Sequence, residues 1–149
     1  VSAPHFRKAD RGDVASIAAL LAEDDLGQHR EGAPLQSYLD AFDRMSAQPG
    51  NIVVVGVVGD DVVACYQLTL IEGLSRGGAR RAQIEAVRVA ASQRGAGIGR
   101  LALQDAETRA RAAGCRLMQL TSDRSREAAH RFYESLGFEA THLGFKRTL

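Results

Sequence analysis

Neither sign of charge prevails in this 149-residue chain. Lys and Arg number 19 against 18 Asp and Glu, a net charge of +1, which leaves no overall field to draw nucleic acid or an acidic membrane surface. Cysteine is scarce: Cys65 and Cys115 are the only two, set in separate apolar runs without Cys-x-x-Cys spacing. Free core thiols are therefore expected, not a disulfide framework or a metal site. No apolar run approaches the ~18 residues of a membrane span, and the N-terminus carries no signal-like stretch. A cytoplasmic protein that does not enter the membrane is the expectation. The opening Val1 suggests a missing initiator methionine and a start further upstream. Proline occurs three times, and two of the three are punctuation, with Pro34 opening a helix and Pro49-Gly50 closing it.

The hydrophobic fraction of 45% and the charged fraction of 25% are ordinary, and the length suits one domain over residues 1–149 with a single core. His5 to Ala9 reads as a short strand. Asp10 is placed to cap a helix over Arg11 to Glu23, with Val14, Ile17, Leu20 and Leu21 on one face. A polar stretch, Asp24 to Gly32, precedes a second helix to Ala47, with Leu35, Leu39, Phe42 and Met45 spaced for burial. Ile52 to Val58 and Val62 to Ile71 are β-branched runs joined by Gly59-Asp60-Asp61, a hairpin signal. After a loop over Glu72 to Gly78, Arg80 to Val89 is a third strand. A helix over Arg100 to Ala113 ends at Gly114, followed by a strand over Cys115 to Thr121. Arg126 to Leu136 is a last helix stopped by Gly137, and Phe138 to Leu149 has room for a final strand or hairpin. The order predicts an α/β (α+β) domain, with a mixed, mostly antiparallel central sheet flanked by helices.

The stretch richest in chemistry is Arg94-Gly95-Ala96-Gly97-Ile98-Gly99. Its glycines let a ligand approach the backbone, and the helix that follows brings free N–H groups and a positive dipole end to the same point. A phosphate or pyrophosphate is the usual occupant of such a loop. A Walker loop requires Gly-Lys-Ser/Thr at its end, and this one ends Gly99-Arg100-Leu101. Gly97-Ile98-Gly99-Arg100-Leu101-Ala102 does satisfy the dinucleotide pattern, with Asp123 at a distance suited to a ribose contact. The preceding strand ends too early, however, and about fifty residues after the loop are too few for that fold.

The segment Gln93 to Gly99 closely resembles the Arg-x-x-Gly-x-Gly/Ala signature of the GNAT N-acetyltransferases. Ile84-Glu85-Ala86-Val87-Arg88-Val89 is similar to the strand before that family's loop. Ala129-His130-Arg131-Phe132-Tyr133-Glu134-Ser135-Leu136-Gly137-Phe138 resembles its A-x-x-F-Y-x-x-L-G-F segment. These pieces span the second half of the chain, and the helix–helix–hairpin order of the first half fits the same fold. The resemblance implies acetyl-CoA as co-substrate, its pyrophosphate held at Arg94, Gly95, Ala96, Gly97, Ile98, Gly99 and Arg100. It also implies a pantetheine arm laid along the backbone near Val87 and Val89, as an added strand would lie.

Activity is implied in the same way: acetyl transfer to the primary amine of a small molecule by direct attack. Glu85 is the implied base, since an amine with a pKa of about 10.4 is almost fully protonated at neutral pH. A strand glutamate paired with Arg80, Arg81 or Arg88 is the structural alternative. Tyr133 is implied as proton donor to the departing thiolate, against a purely packing role on a buried helix face. His130 reads as a surface histidine beside it. Arg126 departs from the family pattern, because it stands where many members carry a cofactor-contacting asparagine; Arg126 or the neighbouring Ser125 is left to donate there. Glu23, Asp24, Asp25, Gln28, His29 and Glu31 form a candidate acidic rim for a cationic acceptor, too loosely spaced to hold a metal. A non-catalytic acyl-CoA sensor and a protein-lysine acetyltransferase remain alternatives, and the family inclines the expectation toward a homodimer.

Overall fold

The computed structural model describes residues 2–149; Val1, on which the missing initiator methionine was inferred, lies outside them. Five strands form one sheet: β1 (His5–Lys8), β2 (Asn51–Val58), β3 (Asp61–Ile71), β4 (Arg81–Val89) and β5 (Leu117–Leu120), adjacent in that order. The first three junctions are antiparallel and β4 pairs with β5 in parallel, so the mixed, mostly antiparallel sheet is as expected. A parallel neighbour requires a crossover, and helix α5 (Ile98–Ala112) supplies it.

Helices cover both faces. On one, Ala102, Ala106 and Ala110 of α5 are fully buried against Val54, Tyr66, Leu68, Ala82 and Ile84. Their spacing of four puts small side chains on one helix face, which lets α5 sit close to the sheet. Helix α6 (Glu127–Ser135) joins this side through Phe132 and Tyr133. On the other face Ile17 and Leu20 of α1 (Val14–Ala22), with Phe42 of α3 (Leu35–Ser46), pack on Val55 and Cys65. Both cysteines are free. Burial pushes the Cys65 thiol up to about 12, so it fills space and stays protonated.

Three segments differ from the sequence expectation. The polar stretch after α1 contains a short helix, α2 (Asp25–Arg30), begun by Asp24, whose carboxylate accepts from the Gly27 N–H. Local capping, not an apolar stripe, makes this helix, which is why periodicity passes over it. The loop before β4 contains a four-residue turn, α4 (Ser75–Gly78), in which Arg76 takes a left-handed conformation (φ 56°). The tail after α6 forms no strand: beyond Phe138 no backbone N–H among the described residues donates to a backbone carbonyl.

Candidate acetyl-CoA site

The glycine loop is built by its backbone. Gly95 (φ 83°) and Gly97 (φ 78°) adopt the left-handed region, where a β-carbon costs roughly 1–2 kcal/mol. Leu101 N–H, donating to Gly97 O at 3.2 Å, is the first donor used at the start of α5. The N–H groups of Gly95 to Arg100 have no acceptor among the described residues. Ile98 is buried at 3% exposure and packs with Val63 and Ala64, so its side chain anchors the loop while its N–H remains available. Arg94 and Arg100 are exposed beside it, and Arg94 Nε donates to Val89 O at 3.4 Å. A run of free N–H groups at a helix N-terminus, flanked by two guanidinium groups, fits a pyrophosphate.

The strand beside the loop is bulged. Cys65 pairs with Arg88 and Gln67 with Glu85, so two steps on β3 answer three on β4. The extra residue is accommodated around Ala86, whose φ is 53°. Cys65 and Gln67 share a face of β3, hence Arg88 and Glu85 share a face of β4. Val87 joins Ala82 and Ile84 on the α5 side. A regular strand would group Glu85 with Val87 and Val89 and set Arg88 opposite; the bulge reverses this. Pairing with β5 stops at Ile84 opposite Leu120. From Glu85 to Val89, β4 therefore has a free backbone edge, next to the glycine loop in sequence and suited to an added strand.

Glu85 is exposed on this free stretch. None of the arginines named as its structural alternative forms an ion pair with it: Arg80 pairs with Glu72, and Arg88 Nε lies 3.2 Å from Asp24 Oδ2. The Arg88–Asp24 pair is mostly shielded, with side-chain exposures of 13% and 20%. Arg88 Nη1 also donates to Val87 O at 3.0 Å. Arg88, named from the sequence only as a partner for Glu85, pairs instead with Asp24 on the loop between α1 and α2.

Tyr133 is half-buried against the α5-side core, its ring 5.4 Å from Phe132 and 6.0 Å from Phe138. Burial raises its pKa, and the nearby positive charges of Arg126 and Arg88 partly oppose the rise. The phenol is thus protonated at neutral pH. Phe132 lies over Gly99, where a β-carbon would come 3.3 Å from the ring tip, so α6 and the loop are in direct contact. Arg126 occupies the N-cap position of α6 without capping it through its side chain.

Other candidates prove to be committed elsewhere. Ser125 Oγ donates to Asp123 Oδ1 at 2.6 Å and does not cap α6. His130 Nε2 is 2.8 Å from Asp123 O, a loop-bracing contact. Within the acidic rim, Glu23 accepts from Ala91 N–H at 3.2 Å, Asp24 serves Gly27 and Arg88, and Glu31 accepts from Tyr38 Oη–H at 2.7 Å. The rim is largely a set of internal braces, with Gln28 and His29 exposed beside it. No cluster of His, Cys, Asp and Glu suited to a metal occurs among the described residues, and no described helix is long and apolar enough to cross a membrane.

Comparison with known proteins agrees with this arrangement. The family model for the acetyltransferase (GNAT) family matches residues 16–138. No curated protein matches the chain. Among solved structures, a transcriptional regulator from Bacillus halodurans C-125 is 38% identical, with a TM-score of 0.94, covering 98% of this chain and 99% of its own. A Trypanosoma brucei acetyltransferase is 26% identical, with a TM-score of 0.81 and coverages of 98% and 99%. A Clostridium acetobutylicum protein solved with acetyl-CoA shares the fold at 15% identity, with a TM-score of 0.77 and coverages of 97% and 96%. With the glycine loop, the parted β4 edge and a family match over most of its length, the chain belongs to the GNAT acetyltransferase family, whose co-substrate is acetyl-CoA.

Proposed function

We propose that the protein transfers the acetyl group of acetyl-CoA to the primary amine of a small molecule by direct attack. The observation that carries this reading is the stretch of β4 from Glu85 to Val89 that no strand joins on the β5 side, next in sequence to the glycine loop with its free N–H groups. The loop N–H groups of Gly95 to Arg100 hold the pyrophosphate, with Arg94 and Arg100 adding charge. The edge near Val87 and Val89 receives the pantetheine arm, and Arg126 stands in for the usual asparagine donor.

Deprotonating an alkylammonium at pH 7 costs about 4–5 kcal/mol. Glu85, acting through water, takes that proton. The backbone N–H near Val87 faces the charge that develops on the carbonyl oxygen as the amine attacks. Tyr133, kept protonated by burial, gives its proton to the departing thiolate. Juxtaposing two bound reactants supplies much of the remaining acceleration. A cytoplasmic location and a homodimer belong to the same reading.

Calorimetric titration with acetyl-CoA, followed by thiol release across a panel of amines, tests it. Binding that is lost in Gly97→Trp, with acetylation of small amines, is the expected result. Binding without transfer to any amine would make the protein an acyl-CoA sensor. Transfer confined to protein lysines would replace the acceptor class.

A further inference from the structure

We propose that the acceptor is an amino acid, with Arg88 holding its carboxylate while Glu85 takes the proton from its amine. This assignment rests on the proposed acetyl transfer and names its acceptor. The Arg88 side chain is only 13% exposed, yet its hydrogen bonding is incomplete. Nη1 donates to Val87 O at 3.0 Å. Nε lies 3.2 Å from Asp24 Oδ2, but its N–H is not aligned on that oxygen, and the atom is buried without a hydrogen-bond partner. Nη2 has no acceptor among the described residues. A shielded charge normally has its donors filled. A carboxylate on the outer edge of the guanidinium fills two of them at once, in the bidentate geometry that arginine favours.

The position of Arg88 suits that task. Arg88 and Glu85 share a face of β4, opposite Cys65 and Gln67, which are two residues apart on β3. Two strand steps are about 7 Å, a spacing that two long side chains can close onto an amine and a carboxylate a few bonds apart. Both residues belong to the stretch of β4 that no strand joins on the β5 side. The Arg88 charge also acts on the Tyr133 phenol, so the arginine serves the end of the site where the acetyl group is transferred.

Asp24 selects among anions. Its Oδ1 accepts from Gly27 N–H and caps α2 without help from Arg88, while its charge makes the pair with Arg88 neutral overall. A zwitterion meets both signs of such a pair. A phosphate, with up to two negative charges, is set against Asp24 and Glu85 together. A diamine leaves the Arg88 donors unfilled and places like charge beside them. The transfer itself is unchanged: the amine nitrogen bonds to the acetyl carbon and the C–S bond breaks. The proton leaving nitrogen goes to Glu85 through water, and the thiolate takes one from Tyr133. The products are an N-acetyl amino acid and coenzyme A.

Steady-state kinetics of the full chain with acetyl-CoA test this. Alanine, β-alanine and 4-aminobutyrate are compared with ethylamine and propylamine, the same amines without the carboxylate, at rates expressed per concentration of neutral amine. The amino acids should be favoured roughly 10–100-fold in kcat/KM, the scale of charge-assisted hydrogen bonds. In Arg88→Gln that preference should collapse. Arg88→Lys, which keeps the charge and loses the planar fork, should retain only part of it. Plain amines served as well as amino acids by the wild type would overturn the amino-acid acceptor and leave acetyl transfer standing. A preference that survives Arg88→Gln would overturn Arg88 as the carboxylate's partner. No transfer to any amine from bound acetyl-CoA would overturn the acetyl transfer, and the acceptor class with it. Should Arg88→Gln fail to fold, the wild-type comparison and Arg88→Lys decide.

Discussion

The Tyr66 hydroxyl donates to Asp105 Oδ2 at 2.6 Å, and Arg109 Nε reaches the same oxygen at 2.8 Å. Tyr66 is fully buried on β3, whereas Asp105 and Arg109 lie on α5. The contact therefore pins the crossover helix to the centre of the sheet, and the glycine loop hangs from the N-terminus of that helix. Burial and the adjacent carboxylate both raise the Tyr66 pKa, so the phenol remains a donor at every working pH.

Tyr66→Phe keeps the ring and removes the donor, while Arg109 continues to partner Asp105. A loss of about 1.5–3 kcal/mol in unfolding free energy is expected, the scale of a hydrogen bond to a charged group. Urea melts measure it. An unchanged midpoint would show that the contact is dispensable.

The bulge at Ala86 gives a prediction of opposite sign. Alanine at φ 53° is in the left-handed region, which costs roughly 1–2 kcal/mol relative to glycine, offset in part by glycine's greater unfolded freedom. Ala86→Gly should leave stability unchanged or raise it by up to about 1 kcal/mol, with acetyl-CoA affinity retained. Ala86→Val, β-branched and poorly suited to that conformation, should lower both. Thermal melts with and without acetyl-CoA separate the outcomes, and a stabilising valine would contradict the assigned geometry.

Sheet, helix α5 and loop were legible because their signals are local: β-branched runs, Gly114 closing the helix, and the clustered glycines of Gly95 to Gly99 before it. The bulge was not. Ala86 carries no mark of a positive φ, and the evidence for it is a pairing offset between Cys65–Arg88 and Gln67–Glu85 that requires β3 to be in place. The Arg88–Asp24 pair was hidden for the same reason, since 64 positions separate residues that only tertiary folding brings to 3.2 Å. For Phe138 to Leu149 the sequence left room for a strand or hairpin, and none forms there among the described residues.

The Arg7–Asp13 pair predicts an acid-sensitive contribution to stability. Arg7 Nη1 is 2.7 Å from Asp13 Oδ2, and the hydrogen bonds from Arg7 hold the Asp13 carboxyl below its usual range. A lowered folded-state pKa means that the unfolded chain binds the proton more readily. The stabilisation is therefore complete above the ordinary aspartate pKa of about 3.9 and is lost as pH falls through the lower, folded value. Asp13→Asn should be less stable than wild type at neutral pH, and the gap should close in strong acid. A gap that stays constant across urea melts in that range would remove the ion pair as its cause.

Tyr133 and Glu85 should separate binding from chemistry in different parts of the pH profile. Tyr133→Phe retains the packing on Phe132 and Phe138 and removes only the hydroxyl. A fall in kcat of about 10–1,000-fold is expected, with acetyl-CoA affinity nearly unchanged, in keeping with the loss of a single acid. Because burial raises the Tyr133 pKa, the wild-type enzyme should hold its acid form through neutral pH and lose it only above the ordinary tyrosine value of about 10. Glu85→Gln acts at the other step: it removes the acceptor for the ammonium proton, so kcat/KM should fall and the residual rate should follow the fraction of amine that is already neutral. Exogenous amines of low pKa, which arrive already neutral, should recover most of the rate in Glu85→Gln and little in Tyr133→Phe. Equal recovery in both variants would mean that the two residues do not divide the proton transfers between them, and that the base lies elsewhere on the cleft.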